Sequence, residues 1–259
     1  MKLAPVMFVG HGSPMFAIEA SHARDLLEQQ QSQFDDVKAI VVVSAHWVTN
    51  GYTGVTSDDA LQTIHDFGGF PTELYQLQYP AAGNPSLANQ IEQQLESAGF
   101  EVQQQSQRGL DHGAWVPLMH LVPEANIPVI QVSINSHSSG EDVYRLGQTL
   151  SQLREQGVAI IGSGSITHNL RDVVPGSNQA ADYVVRFEQW VREQITHRDA
   201  QTLMTVPQLQ EDFFRAHPTH EHYLPLLVAL GASQGSDELT ILKGGIQHHA
   251  LSMESYLWH

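Results

Sequence analysis

Fifteen of the 259 residues are histidines, and three of them follow apolar runs closely enough to share one site. Val41-Val42-Val43 leads into Ser44-Ala45-His46-Trp47, which predicts a strand buried on both faces with an imidazole at its carboxyl end. Val6-Met7-Phe8-Val9 leads in the same way into Gly10-His11-Gly12-Ser13-Pro14. Val158-Ala159-Ile160-Ile161 leads into Gly162-Ser163-Gly164-Ser165-Ile166-Thr167-His168-Asn169. In open α/β sheets the carboxyl edge of the strands is where ligands bind. Imidazole suits Fe, Zn, Cu and Ni, and three protein ligands with open positions define a catalytic metal site. His11 and His46 are the strongest ligand candidates. Each alone could be a hydrogen-bonded loop histidine, but equivalent ends of two neighbouring strands favour a shared ion.

His222 is the third candidate, in His217-Pro218-Thr219-His220-Glu221-His222-Tyr223-Leu224-Pro225 before an apolar helix. His220 and His222 are two apart and cannot share a helix face, so at most one points at the metal. Glu221 is the carboxylate alternative and would make a 2-His-1-carboxylate triad. His168 follows a Ser-Gly-Ser bend that lets backbone approach a ligand, and Asn169 could orient its ring. Asp111-His112 could be a carboxylate-oriented acid or base. His65-Asp66, in a Gly-Gly loop, reads as a pocket wall. His120, His137, His197, His217, His248 and His249 read as surface or packing residues.

The elements that must carry these side chains alternate. Strands are expected over residues 4–9, 37–44, 100–104, 127–134 and 158–161, with two final strands at 239–242 and 251–258. Helices are expected over 21–31, from Asn84-Pro85 to Gly99, to Leu121, from Ser139 or Glu141 to Gly157, over 180–195, and up to Gly231. Residues 48–80 read as a long loop, the kind that walls pockets. The alternation predicts an α/β fold, a single domain spanning residues 1–259 with a mostly parallel central sheet and helices on both faces.

Lys and Arg number 12 against 28 Asp and Glu, a formal charge of −16. Such a surface repels nucleic acid and anionic membrane, so neither is expected as a partner. Arg108, Arg171 and Lys243 are the few cations near the motifs. Cysteine is absent, which excludes thiolate chemistry. No apolar run approaches the roughly 18 residues of a membrane span, and the expected location is cytoplasmic.

Six motifs occur in order: Gly10-His11-Gly12-Ser13-Pro14, Ser44-Ala45-His46-Trp47, Ile64-His65-Asp66-Phe67-Gly68-Gly69-Phe70-Pro71, Asp111-His112-Gly113, Thr167-His168-Asn169-Leu170 and Glu221-His222-Tyr223-Leu224-Pro225-Leu226. Together they resemble the 4,5-DOPA extradiol dioxygenase family, within the class III (LigB-type) ring-cleaving dioxygenases. The resemblance implies one divalent non-haem metal on His11, His46 and His222, with His168 as fourth ligand or acid/base and His112 close behind. Fe²⁺ would serve catalysis and Zn²⁺ could be bound. The partners implied are a small aromatic diol and O₂, opened to a semialdehyde. His168 would take a phenolic proton and later return one, with His112 hydrogen-bonding oxygen. His65, Phe70, Trp47 and Ser13, from the same motifs, complete the expected substrate-contacting set. The competing readings are a zinc-dependent hydrolase and a non-enzymatic metal-binding protein.

Overall fold

The chain is described by a computed structural model covering residues 3–177 and 179–259. Its strands are β1 (Val6–Gly10), β2 (Ala39–Thr49), β3 (Thr53–Thr56), β4 (Val102–Gln105), β5 (Val129–Asn135), β6 (Val158–Gly164), β7 (Leu239–Gln247) and β8 (Leu251–Trp258). They form one sheet in the order β4-β3-β5-β2-β6-β1-β8-β7. The pairs β3/β4, β2/β5, β2/β6 and β1/β6 are parallel; β3/β5, β1/β8 and β7/β8 are antiparallel. The mostly parallel sheet is thus as expected, and β1, β6 and β2 lie side by side at its centre.

The side-chain period of two divides the apolar strands between two cores. Val6, Phe8, Val41, Val43, Ile130, Val132 and Ile160 face one core. Met7, Val9, Ile40, Val42, Ala159 and Ile161 face the other. Helices α1 (His22–Glu28) and α3 (His112–Leu121) cover the second face. The first is covered by α2 (Pro85–Ser97), α4 (Gly140–Leu150), α5 (Asp182–Thr196), α6 (Ala200–Met204), α7 (Val206–Leu209), α8 (Phe213–Ala216) and α9 (Leu224–Ala232). Helix α9 is apolar all round, and its residues from Pro225 to Ala232 are buried, as a helix with no polar face must be.

Four expectations need correction. Strand β2 does not stop at Ser44. Between Val43 and Val48 it advances five residues while β5 advances two, from Val132 to Ile134. Ser44-Ala45-His46-Trp47 is therefore a bulge inside a longer strand, and bulges re-aim side chains beside active sites. The region 48–80 is not all loop: it contributes β3 and a 3₁₀ turn over Thr72–Gln76. The helix from Ser139 ends at Leu150 and continues as a 3₁₀ segment over Ser151–Gln156. The short helices α6, α7 and α8 carry too few residues to show a period, and sequence reading passes over them.

The amino end of the sheet is fastened by one buried cation. Arg154 donates from Nε to Ala4 O at 2.8 Å and from Nη1 to Ala232 O at 3.1 Å. Both Asp237 oxygens accept from the same guanidinium, at 2.8 and 3.1 Å. This ties the chain before β1 to the end of α9 and the turn before β7. Removing the carboxylate would leave a buried charge without its counter-ion, a loss of about 3–5 kcal/mol. Asp237→Ala is expected to lower unfolding free energy by that amount in urea titration; a loss below about 1 kcal/mol would show that the pair does not hold this end together.

Candidate metal centre

The carboxyl ends of β1, β2 and β6 bring the motifs together. His11 follows β1, and its N–H donates to Gly164 O at the end of β6 at 3.0 Å. Ser165 N–H donates to His222 O at 2.9 Å, which sets the turn before α9 against the same strand end. A Cβ on Gly164 would stand 2.2 Å from His222 O, so only glycine permits this approach. Gly113 plays the same part on the other side. A Cβ there would stand 2.4 Å from Ser44 Oγ and 3.0 Å from His46 Cδ2.

Three imidazoles converge. His46 Nε2 lies 3.1 Å from His11 Nε2 and 3.3 Å from His222 Nε2. Their other nitrogens are each accounted for. Ser163 Oγ gives its only hydrogen to Gly113 O, so it can only accept from His11 Nδ1–H, at 2.9 Å. Glu221 Oε1 accepts from His222 Nδ1–H at 3.0 Å. His46 Nδ1 faces Asp66 Oδ2 at 3.5 Å. With the Nδ1 hydrogens of His11 and His222 so committed, their Nε2 lone pairs face His46 Nε2, and the three Nε2 atoms meet at one point.

These rings are held neutral. Burial pushes His11 and His222 well below the usual histidine range; the charge of His46 and His222 adds to the shift in His11, and that of His168 and His46 in His222. Burial, then the charge of His112, pushes His46 down to about 3 against the opposing pull of Asp66. Burial takes His168 down to about 4. Protons cannot relieve the crowded lone pairs near neutrality, whereas a divalent cation can. The donor set of His11, His46 and His222 therefore fits a metal, and its three candidate ligand atoms lie within 4.8 Å of one another.

The remaining candidates surround this trio. His168 stacks on His222, with centroids 3.4 Å apart and planes 8° from parallel. Its backbone N–H donates to Ala216 O, at the end of α8. Asn169 does not orient the ring; its Nδ2 donates to Arg215 O and pins the loop to α8. His112 opens α3, 3.9 Å from the His46 ring. Glu221 stands behind the Nδ1 of His222. His220 turns away, packing on Phe213 at 5.0 Å. His217 is buried and donates to Ile166 O.

Of the expected substrate contacts, His65 and Phe70 join an aromatic wall. Phe67 is its centre, packed edge-on against Phe70 at 5.5 Å and His112 at 5.6 Å, with Tyr75 at 5.1 Å. His65 lies 5.8 Å from Phe67 and donates to Leu77 O. Trp47 is buried against Gly54, under the Arg108 guanidinium at 5.0 Å. Ser13 accepts from Met15 N–H and caps the 3₁₀ turn that follows it. The partners of these two are packing and capping groups rather than the histidine trio. Arg108 pairs with buried Asp111, which also accepts from Ser44 and Gln131. Phe67 and Ser163 escaped sequence reading, as did the contacts from Asp66 to His46 and His112. Phe67 and Asp66 lie in the quoted loop motif but carry no period, and Ser163 sits in an apolar strand end like any small residue.

The family of the catalytic LigB subunit of aromatic ring-opening dioxygenase matches residues 6–257. The chain is similar to a 4,5-DOPA dioxygenase extradiol of Beta vulgaris, 40% identical over 98% of this chain and 96% of that protein. It is similar to a 4,5-DOPA dioxygenase extradiol of Escherichia coli K12, 38% identical over 97% and 93% of the two chains. A solved structure of an uncharacterized E. coli K12 protein superposes with a TM-score of 0.84, at 33% identity and 99% coverage of both chains.

The depressed histidines have a consequence for the metal-free protein. Between their folded values, about 3 for His46 and about 4 for His168, and the ordinary 6.5, the unfolded chain binds protons that the folded chain refuses. Their neutral forms support folding fully above 6.5, and that support is lost as pH falls. The metal-free protein is expected to melt at steadily lower temperature from pH 7 to pH 4, and His46→Ala to flatten that slope. A flat profile in the unsubstituted protein would contradict it.

Proposed function

This chain belongs to the family of the catalytic LigB subunit of aromatic ring-opening dioxygenases, and from that premise we propose the residues and the substrate through which it works. It is an extradiol ring-cleaving dioxygenase, and the histidine cluster could hold the metal on which such enzymes depend. Its substrates are an aromatic diol and O₂. The zinc-hydrolase and metal-storage readings fall with this membership.

The proposed centre is one divalent non-haem ion held by the Nε2 atoms of His11, His46 and His222. The observation that carries it is the meeting of three Nε2 atoms, with the Nδ1 hydrogens of His11 and His222 held by Ser163 and Glu221 and His46 Nδ1 facing the Asp66 carboxylate. Those partners fix the tautomer and orientation of each ring. Fe²⁺ is the ion the reaction requires, because Zn²⁺ has no redox chemistry, although three imidazoles also suit zinc. When bound, such an ion supplies the redox link between the diol and O₂ and holds the two side by side.

The protein's own residues handle the protons and the ring. His168, kept neutral by burial, takes the second phenolic proton and returns one as the ring opens. His112 donates Nδ1–H to Asp66 Oδ1 at 3.0 Å, which leaves its Nε2 to meet oxygen. The edge-to-face wall of Phe67, Phe70 and His65 packs the flat substrate. Trp47, held under Arg108, and Ser13, at the turn after His11, complete the proposed substrate contacts. The preferred diol is DOPA-like, after the names of the relatives. The described helices include none long and apolar enough to cross a membrane. The whole chain acts as one catalytic domain.

Anaerobic loading with Fe²⁺, then addition of air-saturated catechols, is expected to give a yellow ring-opened semialdehyde. No colour with any catechol, in protein shown to hold iron, would overturn the reading. His168→Ala is expected to keep its metal and lose turnover by about 10²–10⁴-fold. Undiminished turnover would remove His168 from the proton path.

A further inference from the structure

The trio's three backing partners are not alike. Ser163 belongs to β6 and Glu221 adjoins His222 in the turn before α9, and each hydrogen-bonds one ring of the trio. Asp66 comes from a loop, and it touches two imidazoles at once. Its Oδ1 accepts from His112 twice, from the backbone N–H at 2.9 Å and from Nδ1–H at 3.0 Å. Its Oδ2 faces His46 Nδ1 at 3.5 Å. The side chain is 24% exposed, so it closes the outer side of both rings.

The same loop carries the aromatic wall. Trp115 Nε1–H donates to Ile64 O at 2.9 Å, just before Asp66. Phe67, just after it, lies edge-on to His112. One carboxylate thus joins the surface that packs the substrate to the imidazole that faces the ion.

We infer that Asp66 is a positioning residue that couples the aromatic loop to His46 and His112, so that ring packing and metal holding are set together. This rests on reading His46 as a ligand. A carboxylate accepts on both oxygens, whereas an asparagine in its place offers one acceptor and one donor. If the amide nitrogen of that asparagine faced His46, donor would meet donor at Nδ1. If it faced His112, two N–H donors would lose their acceptor. Neither orientation restores the arrangement, and a glutamate could restore it only in part.

The test compares wild type with Asp66→Asn, Asp66→Ala and Asp66→Glu, each checked by thermal melting. Affinity for Co²⁺ is measured without substrate, by competition with a chromophoric chelator. The kcat and KM for 4-methylcatechol are measured after Fe²⁺ loading. Asp66→Asn and Asp66→Ala are expected to weaken Co²⁺ binding by about 10–100-fold, lower kcat and raise KM, with Asp66→Glu recovering part of all three. Wild-type Co²⁺ affinity in Asp66→Asn, with only KM changed, would reduce Asp66 to a loop anchor and overturn the coupling. If Asp66→Asn does not fold, Asp66→Glu decides: unchanged Co²⁺ affinity overturns the proposal. A wild type that binds Co²⁺ but opens no catechol would defeat the proposed reaction alone. One that binds no Co²⁺ would defeat both.

Discussion

Three neutral imidazoles, two of them buried and His46 partly so, all aimed nitrogen-first at a common point, are an unstable arrangement without something positive between them. Nε2 atoms lie 3.1 and 3.3 Å apart across His46; Ser163 and Glu221 hold the Nδ1 hydrogens of His11 and His222, and His46 Nδ1 faces Asp66. Burial also denies them the protons that would relieve the crowding in water. The fold supplies the free energy to hold this arrangement, and much of the surrounding polar structure is explained by that need. Ser163 lies at the end of a fully buried strand and gives its hydrogen to Gly113 O. Asp111 is fully buried, with Ser44, Gln131 and Arg108 donating to it directly beneath the bulge that carries His46.

The sheet makes the convergence possible by adjacency. Strands β1, β6 and β2 are consecutive neighbours, so residues beyond their carboxyl ends start within a strand spacing or two of each other. Helices α3 and α9 then approach from opposite faces. Each approach passes over a glycine: Gly113 lies against Ser44 and His46, and Gly164 under His222 O. The opposite end of the sheet carries the Arg154 anchor instead, well away from the chemistry. The two ends divide the work, one fastening the chain and the other holding the reactive groups.

Much of this was legible in the sequence, for identifiable reasons. Val41-Val42-Val43 could only be a strand with two apolar faces, and Asn84-Pro85 with Gly99 marked a helix at both ends; these patterns are local and survive tertiary context. The histidines stood out because imidazole is the group this chemistry needs, and the six motifs together pointed to one family. The bulge at Ser44–Trp47 was hidden, since register depends on β5 rather than on β2 itself. Asp66 reads from sequence as pocket wall beside His65; its ties to two imidazoles show only when the fold places His46 and His112 beside it. Ser163 and Phe67 were unremarkable for the same reason: their importance lies in neighbours dozens of residues away. Motif membership suggests substrate contact for Trp47 and Ser13, and the structure adds a packing partner for the one and a capping role for the other.

The decisive measurement is an anomalous-diffraction map of crystals of the protein loaded with Fe²⁺ or Zn²⁺. One strong peak is expected about 2.0–2.2 Å from the Nε2 atoms of His11, His46 and His222. A peak held instead between His168 and Glu221, or no peak among the three imidazoles, would contradict it.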